Sequence, residues 1–157
     1  MKLSLIAAVS KNKVIGSGPD IPWQAKGEQL IFKAMTHGHW LLIGRKTFES
    51  MGELTNRKYA VISSQQKPNM NENVKYFTSV DTALEFLSSV TEHAFVAGGG
   101  QIYRSMINRV DFLHISEIQI EPEGDVFFPD IPSGFKNIFS QRFESNLNYE
   151  YQIWQKS

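Results

Sequence analysis

The sequence predicts an α/β fold built on a largely buried sheet, and three observations carry that reading. Short apolar runs recur along the chain, several of them lack polar alternation, and helical periods lie between them. Strands covered on both faces read as near-continuous apolar runs, whereas half-exposed strands alternate. Strands that alternate with helices are joined by parallel crossovers.

The apolar runs occupy residues 3–9, 40–43, 59–62, 74–77, 94–97 and 112–118. Helical periods cover 26–35, 82–87 and 101–107, the second with Asp81 as its expected N-cap and the third directly after Gly98, Gly99 and Gly100. Residues 149–154 do alternate. With 139–143 before them and the turn-forming residues 144–148 between, they predict an antiparallel hairpin at the edge of the sheet. Residues 65–73 are polar with one proline and read as a surface loop. The chain carries no repeat, low-complexity tract or linker, so a single domain over residues 1–157 is expected.

Charge and composition narrow the function. Sixteen basic and sixteen acidic side chains cancel, which leaves no overall field to attract a nucleic-acid backbone. No nucleic-acid partner is expected, and any bound anion must be held by a few placed cations. The absence of cysteine excludes disulfides and thiolate chemistry. The apolar start ends at Lys11, Asn12 and Lys13 without a cleavage signal and reads as a buried first strand. No apolar stretch approaches the ~20 residues a membrane span needs. A soluble, cytoplasmic protein with no membrane partner is expected. His37, His39, His93 and His114 show no metal-ligand spacing and read as surface or packing residues, so no metal is expected.

Five features carry chemistry. At Gly98, Gly99 and Gly100 a strand ends and a helix begins. Glycines let backbone N–H groups approach a phosphate, and a helix N-terminus adds aimed donors; a plain strand-to-helix turn needs fewer glycines. The spacing is not the G-x-G-x-x-G dinucleotide fingerprint. Gly44, Arg45, Lys46 and Thr47 form a second strand end, readable as a phosphate cradle or as a basic solvated cap. Ser63 and Ser64 form a third, with hydroxyls that suit a phosphate or simply a turn. Together, three polar strand ends point to a dinucleotide, because ligands of open α/β sheets bind beyond the carboxyl ends of the strands. Glu28 shares a helix face with Ile31, Phe32 and Met35. Either it is a first-turn carboxylate favoured by the helix dipole with its head in water, or it is buried and needs a partner. Finally, residues 15–23 contain two glycines and two prolines and can form a lid.

In this order the features resemble dihydrofolate reductases. The matching residues are Ala7 and Ala8; Val14, Ile15 and Gly16; Ile21, Pro22 and Trp23; Phe32 and Lys33; Gly44, Arg45 and Thr47; Glu49 and Ser50; Arg57 and Lys58; Ile62, Ser63 and Ser64; Gly98 to Gly100 with Tyr103; and Glu123, Gly124 and Asp125 with Phe128 and Pro129. They span nearly the whole chain. Residues 18–30 look specifically like the mobile-element-borne bacterial enzymes that resist trimethoprim.

The resemblance implies a mixed, mainly parallel eight-stranded sheet flanked by helices, with an antiparallel C-terminal strand. It implies NADPH-dependent reduction of dihydrofolate, with hydride transfer to pteridine C6 and protonation at N5. Glu28 would be the active-site carboxylate, with Ser116 as its hydroxyl partner. Ile6, Ala8, Gln29, Phe32, Lys33, Met51 and Leu54 would line the substrate pocket, and Arg57 would clamp the substrate's glutamate tail. Ala8, Ile15, Gly16, Gly44, Arg45, Lys46, Thr47, Ser63, Ser64, Ala97, Gly98, Gly99, Gly100, Gln101, Ile102 and Tyr103 would hold the cofactor. Ile21 and Trp23 belong to the lid beside the reacting ring, and Asp125 would couple to that lid. A cis peptide is expected between Gly98 and Gly99. Antifolate inhibitors are expected ligands, and a monomer is expected. The chain departs from chromosomal bacterial enzymes in carrying Glu28 for their usual Asp and Gln29 for an apolar residue. Thr78 and Gln101 stand where basic residues often reinforce the 2′-phosphate site. The competing readings are a riboflavin-pathway reductase on the same fold, which does not need Glu28, Phe32 and Arg57 together, and a nucleotide-binding protein without catalysis.

Overall fold

The computed structural model describes residues 1–16, 23, 25–65, 67, 68 and 71–157. Its strands are β1 (Lys2–Ser10), β2 (Val14–Gly16), β3 (Trp40–Gly44), β4 (Lys58–Ile62), β5 (Val74–Phe77), β6 (His93–Val96), β7 (Phe112–Ile118), β8 (Val126–Phe127), β9 (Phe135–Phe143) and β10 (Tyr149–Lys156). Its helices are α1 (Glu28–Thr36), α2 (Arg45–Met51), α3 (Val80–Val90) and α4 (Gly100–Met106).

Eight strands form one sheet in the order β5-β4-β3-β6-β1-β7-β10-β9, and β2 pairs with β8 beside it. The pairs from β5 across to β7 are parallel, and β10 runs antiparallel to both its neighbours. The central strands are the apolar runs of the sequence: Leu5, Leu41, Leu42, Ile43, Val61 and Val96 are inaccessible to solvent. One face of the sheet carries α3 and α4 on a core that includes Leu3, Leu5, Ala7, Leu42 and Val96. The other carries Phe32 and Met35 of α1 and Phe48 of α2 against Ile6, Leu41, Ile43, Tyr59 and Phe95.

The helix boundaries differ from the sequence expectation for identifiable reasons. α1 starts at Glu28 rather than 26, because Gly27 takes a left-handed φ of 93° that cannot continue a right-handed helix. α3 starts at Val80, capped by Ser79, whose hydroxyl accepts from Thr82 N at 3.1 Å. The expected cap, Asp81, lies in the first turn and pairs with Arg109 at 3.0 Å. α2 begins at Arg45, directly after Gly44 at the end of β3. The expected surface loop at 65–73 lies partly outside the described residues.

Three histidines pack at the end of the sheet remote from the glycine turn. His39 stands edge-on to His93 at 4.9 Å, His93 meets Ser4 Oγ at 2.8 Å, and His114 Nδ1 meets Tyr151 Oη at 2.6 Å. Among the described residues no helix is long and apolar enough to cross a membrane.

Candidate active site

α1 carries a charge at each end. Glu28 is its first residue, in the turn where the helix dipole favours a carboxylate. The sequence left two readings for this residue, and the structure combines them. Glu28 sits at the first turn, yet burial raises its pKa above the ordinary carboxylate value, and the Ser116 hydroxyl opposes that rise by hydrogen-bonding the ionised group. Ser116 is buried on β7, directly beside Ala8 of β1.

Arg57 meets the other end. It is 8% exposed. Its Nε donates to Thr36 Oγ1 at 3.2 Å, its Nη1 to Thr55 O at 2.7 Å, and its Nη2 to Lys33 O. Lys33 O is a carbonyl of the last turn of α1, where a cation complements the dipole. Thr36 in turn donates to Phe32 O at 2.7 Å. The recorded partners of Arg57 are carbonyls and one hydroxyl, and none of the ion pairs among the described residues involves it. A buried guanidinium without a carboxylate is costly unless a ligand supplies the anion. Eight residues of helical rise separate Glu28 from Thr36, roughly 12 Å. Between them Phe32, Ile6 and Met51 join one apolar group, and Leu54 is half-buried with its N–H donated to Tyr59 Oη at 2.9 Å. Gln29 and Lys33 are exposed on the outer side of α1.

The second half of the site is backbone. Gly44 N donates to Gly98 O at 2.8 Å and ties the ends of β3 and β6 together. The peptide between Gly98 and Gly99 is cis, as expected. A Cβ on Gly99 would stand 2.9 Å from Thr47 Oγ1, and one on Gly100 2.8 Å from Val126. α2 and α4 both begin here without a side-chain cap, so their first amides remain available. Ser63 is buried at the end of β4; Ser64, Lys46 and Gln101 are exposed, and Ala97 and Ile102 are buried. Arg45 pairs with Glu49 at 3.0 Å. Ile15 and Gly16 lie on β2, and Ile15 packs against the same core as Ile102 and Tyr103.

Tyr103 joins the two halves. Its ring fills the space beside Gly98, and its hydroxyl donates to Ile6 O at 2.8 Å. Burial, and then the charge of Glu28, push its pKa well above the ordinary phenol range, so it stays a donor. Trp23 packs with Ile31 against Ala25, Ile118 and Tyr149. Ile21 and most of the expected lid lie outside the described residues. Asp125 directly precedes β8, the strand that pairs with β2.

Sequence reasoning missed two groups here. One is Thr36, the last residue of α1, whose hydroxyl accepts from Arg57 Nε. The other is the β9–β10 turn: Asn146 Oδ1 accepts from Lys26 N at 2.7 Å, and Ser145 Oγ donates to Lys26 O at 2.8 Å, so the approach to α1 is gripped from a distant segment. No local signal in the sequence marks either contact.

α1 thus has a covered carboxylate at its first turn and a buried guanidinium, in no ion pair among the described residues, at its last, while the glycine cradle follows the carboxyl ends of β3 and β6. The family model described as dihydrofolate reductase matches residues 2–156. The chain belongs to the dihydrofolate reductase family. It is 65% identical over 156 residues to dihydrofolate reductase type 15 of Escherichia coli, with 99% of each chain covered. It is 64% identical to dihydrofolate reductase type 1 of the same organism over the same span, again with 99% of each covered. Among solved structures, dihydrofolate reductase from Enterococcus faecalis complexed with NADP(H) and RAB-propyl superposes with a TM-score of 0.90 at 26% identity, covering 99% of this chain and 96% of that one. Membership carries the activity: the protein is an oxidoreductase that reduces dihydrofolate to tetrahydrofolate with NADPH.

Proposed function

We propose that α1 measures the substrate, with Glu28 holding the pteridine at one end and Arg57 holding the glutamate tail at the other. The observation that carries this reading is the buried Arg57, without a carboxylate partner among the described residues, at the far end of the helix that begins with Glu28. A guanidinium has five N–H donors. Three are engaged by Thr36, Thr55 and Lys33, which leaves one on each terminal nitrogen, the number a bidentate carboxylate takes.

The Glu28 carboxylate accepts hydrogen bonds from the 2-amino group and ring N–H of the pteridine. That pairing orients the ring and favours protonation at N5, which makes C6 the better hydride acceptor. Ser116 keeps the carboxylate ionised and aimed. Ile6, Phe32, Met51 and Leu54 exclude water around the ring system, which strengthens the charge-assisted pair. With no second acid in the pattern, water delivers the N5 proton.

The glycine cradle fits NADPH, because the tight approach at Gly99 and Gly100 leaves no room for side chains between the strand ends. When bound, NADPH supplies the hydride. Gly44 to Thr47 and Gly99 to Ile102 would hold its pyrophosphate, Arg45 and Ser64 would contact the 2′-phosphate side, and Ala8, Ile15 and Gly16 would border its nicotinamide. The enzyme acts in the cytoplasm as a monomer. Exposed Lys136 and Arg142 on the edge strand β9 oppose pairing with a second copy.

The same geometry supports poor inhibition by trimethoprim, whose diaminopyrimidine must pair with Glu28 but which carries no carboxylate for Arg57. Glutamate is one methylene longer than aspartate and displaces the drug's ring, while exposed Gln29 offers little apolar surface. The test is the inhibition constant with NADPH bound. Weak inhibition of the wild type and tighter inhibition of Glu28→Asp are expected. Nanomolar inhibition of the wild type would overturn resistance, and equal resistance in both would remove the longer carboxylate as its cause.

A further inference from the structure

Thr36 is wholly buried at the last position of α1, and its hydroxyl is used twice. It donates to Phe32 O at 2.7 Å and accepts from Arg57 Nε at 3.2 Å. The first bond fixes the rotor, because a hydroxyl has one proton to give. With that proton directed into the helix, the lone pairs are turned toward the guanidinium. The other two contacts of Arg57 go to backbone carbonyls, so Thr36 is the one side chain that sets the rotation of the guanidinium plane among its recorded partners. Thr55 belongs to the segment before β4 and Lys33 to α1, so neither carbonyl alone fixes how the remaining N–H groups face the pocket.

We infer that Thr36 is a positioning residue for substrate-tail selectivity: its hydroxyl orients Arg57 so that the two spare N–H groups meet a tail carboxylate. The inference rests on the proposed clamp at Arg57 and adds to it the residue that makes the clamp directional. A bidentate pair depends on the plane of the guanidinium as well as its charge. Loss of the hydroxyl therefore leaves the charge in place and degrades the fit. Substrates without a tail carboxylate should not register the change.

The experiment compares steady-state turnover of dihydrofolate with that of 6-methyl-7,8-dihydropterin, which keeps the reducible ring and lacks the tail. The variants are Thr36→Val, Thr36→Ala, Thr36→Ser and Arg57→Leu, each checked for folding by NADPH binding. Thr36→Val and Thr36→Ala are expected to raise the dihydrofolate KM about fivefold to twentyfold, with kcat within about twofold and kcat/KM for the dihydropterin unchanged. Thr36→Ser, which retains the hydroxyl, is expected to match the wild type. Equal losses for both substrates would overturn the inference and make Thr36 structural. Impairment in Thr36→Ser would also overturn it, assigning the effect to the methyl group. If Arg57→Leu raises the dihydrofolate KM while Thr36→Val and Thr36→Ala do not, the inference fails and the clamp stands. If Arg57→Leu leaves that KM unchanged, both fail together. Thr36→Ala keeps the test open should a valine beside the guanidinium prevent folding.

Discussion

Around α1 the site is made of side chains held by other groups, whereas at the ends of β3 and β6 it is made of backbone. Glu28 owes its state to burial and Ser116, and Arg57 owes its position to Thr36, Thr55 and Lys33. The cradle opposite depends on what is missing: Gly44 meets Gly98 through a main-chain bond, and a Cβ on Gly99 or Gly100 would stand within 3 Å of a neighbour. The difference teaches that the proposed substrate half rests on exchangeable functional groups, while in the proposed cofactor half Gly99 and Gly100 leave no room for a Cβ. Tyr103 belongs to both halves, since its ring lies on Gly98 and its hydroxyl holds the strand bearing Ile6.

Breaking the substrate half at Glu28 gives the largest effect. Glu28→Gln keeps the shape and removes the charge, so kcat/KM for dihydrofolate at pH 7 should fall by at least about a hundredfold. The loss should shrink toward acid pH, where solvent protonates the substrate more readily. Stability should move the other way. Because the folded pKa is raised, the unfolded chain ionises first as pH rises above the ordinary carboxylate value, and each further rise through the folded pKa costs the native state stability. The thermal midpoint of Glu28→Gln at pH 7 should therefore exceed that of the wild type. A wild-type turnover rate would reduce Glu28 to a first-turn helix residue.

The cofactor half is broken by one methyl group. Gly98 has φ 110°, and a Cβ there would lie 3.0 Å from Tyr103 Oη. Left-handed backbone costs a non-glycine residue roughly 1–2 kcal/mol. Gly98→Ala should weaken NADPH binding about tenfold, read by quenching of protein fluorescence. Unaltered affinity would mean the cradle can yield, and the contrast between the halves would be lost.

The smallest effect lies outside both halves and checks that they can be perturbed separately from the rest. Burial, helped by His93, lowers the pKa of His114 from 6.5 to about 4. The unfolded chain is protonated first as pH falls, so this contribution is intact above pH 6.5 and is lost progressively toward pH 4, up to about 3 kcal/mol. His114→Gln should flatten the decline of thermal midpoint between pH 7 and 4.5 without altering KM at pH 7. An unchanged slope would place the acid sensitivity elsewhere.

Much of this organisation is legible in the residues. The buried strands announce themselves because covering both faces demands unbroken apolar runs, and the glycine triplet is visible because few other roles need it. Helix starts are harder to read. Gly27 ends the helical run through a backbone angle, and Ser79 displaces Asp81 because its hydroxyl reaches Thr82 N. The short β2–β8 pair follows from tertiary contact and has no sequence period of its own. Thr36 and the Ser145–Asn146 grip on Lys26 join residues 21 to 120 positions apart, so no local pattern reports them. Glu28 is ambiguous in the sequence because the pattern shows which face it occupies but not how deeply it is covered.

The claim that α1 spans the substrate is tested most directly at Arg57. The measurement is the dissociation constant of dihydrofolate and of a tail-less dihydropterin, with NADP⁺ bound, for the wild type and Arg57→Leu. A lost bidentate pair to a partly buried cation is worth ~2 kcal/mol or more, so dihydrofolate should bind at least about thirtyfold more weakly while the dihydropterin is unaffected. Equal weakening of both ligands, or of neither, would contradict a helix that holds the ring at Glu28 and the tail at Arg57.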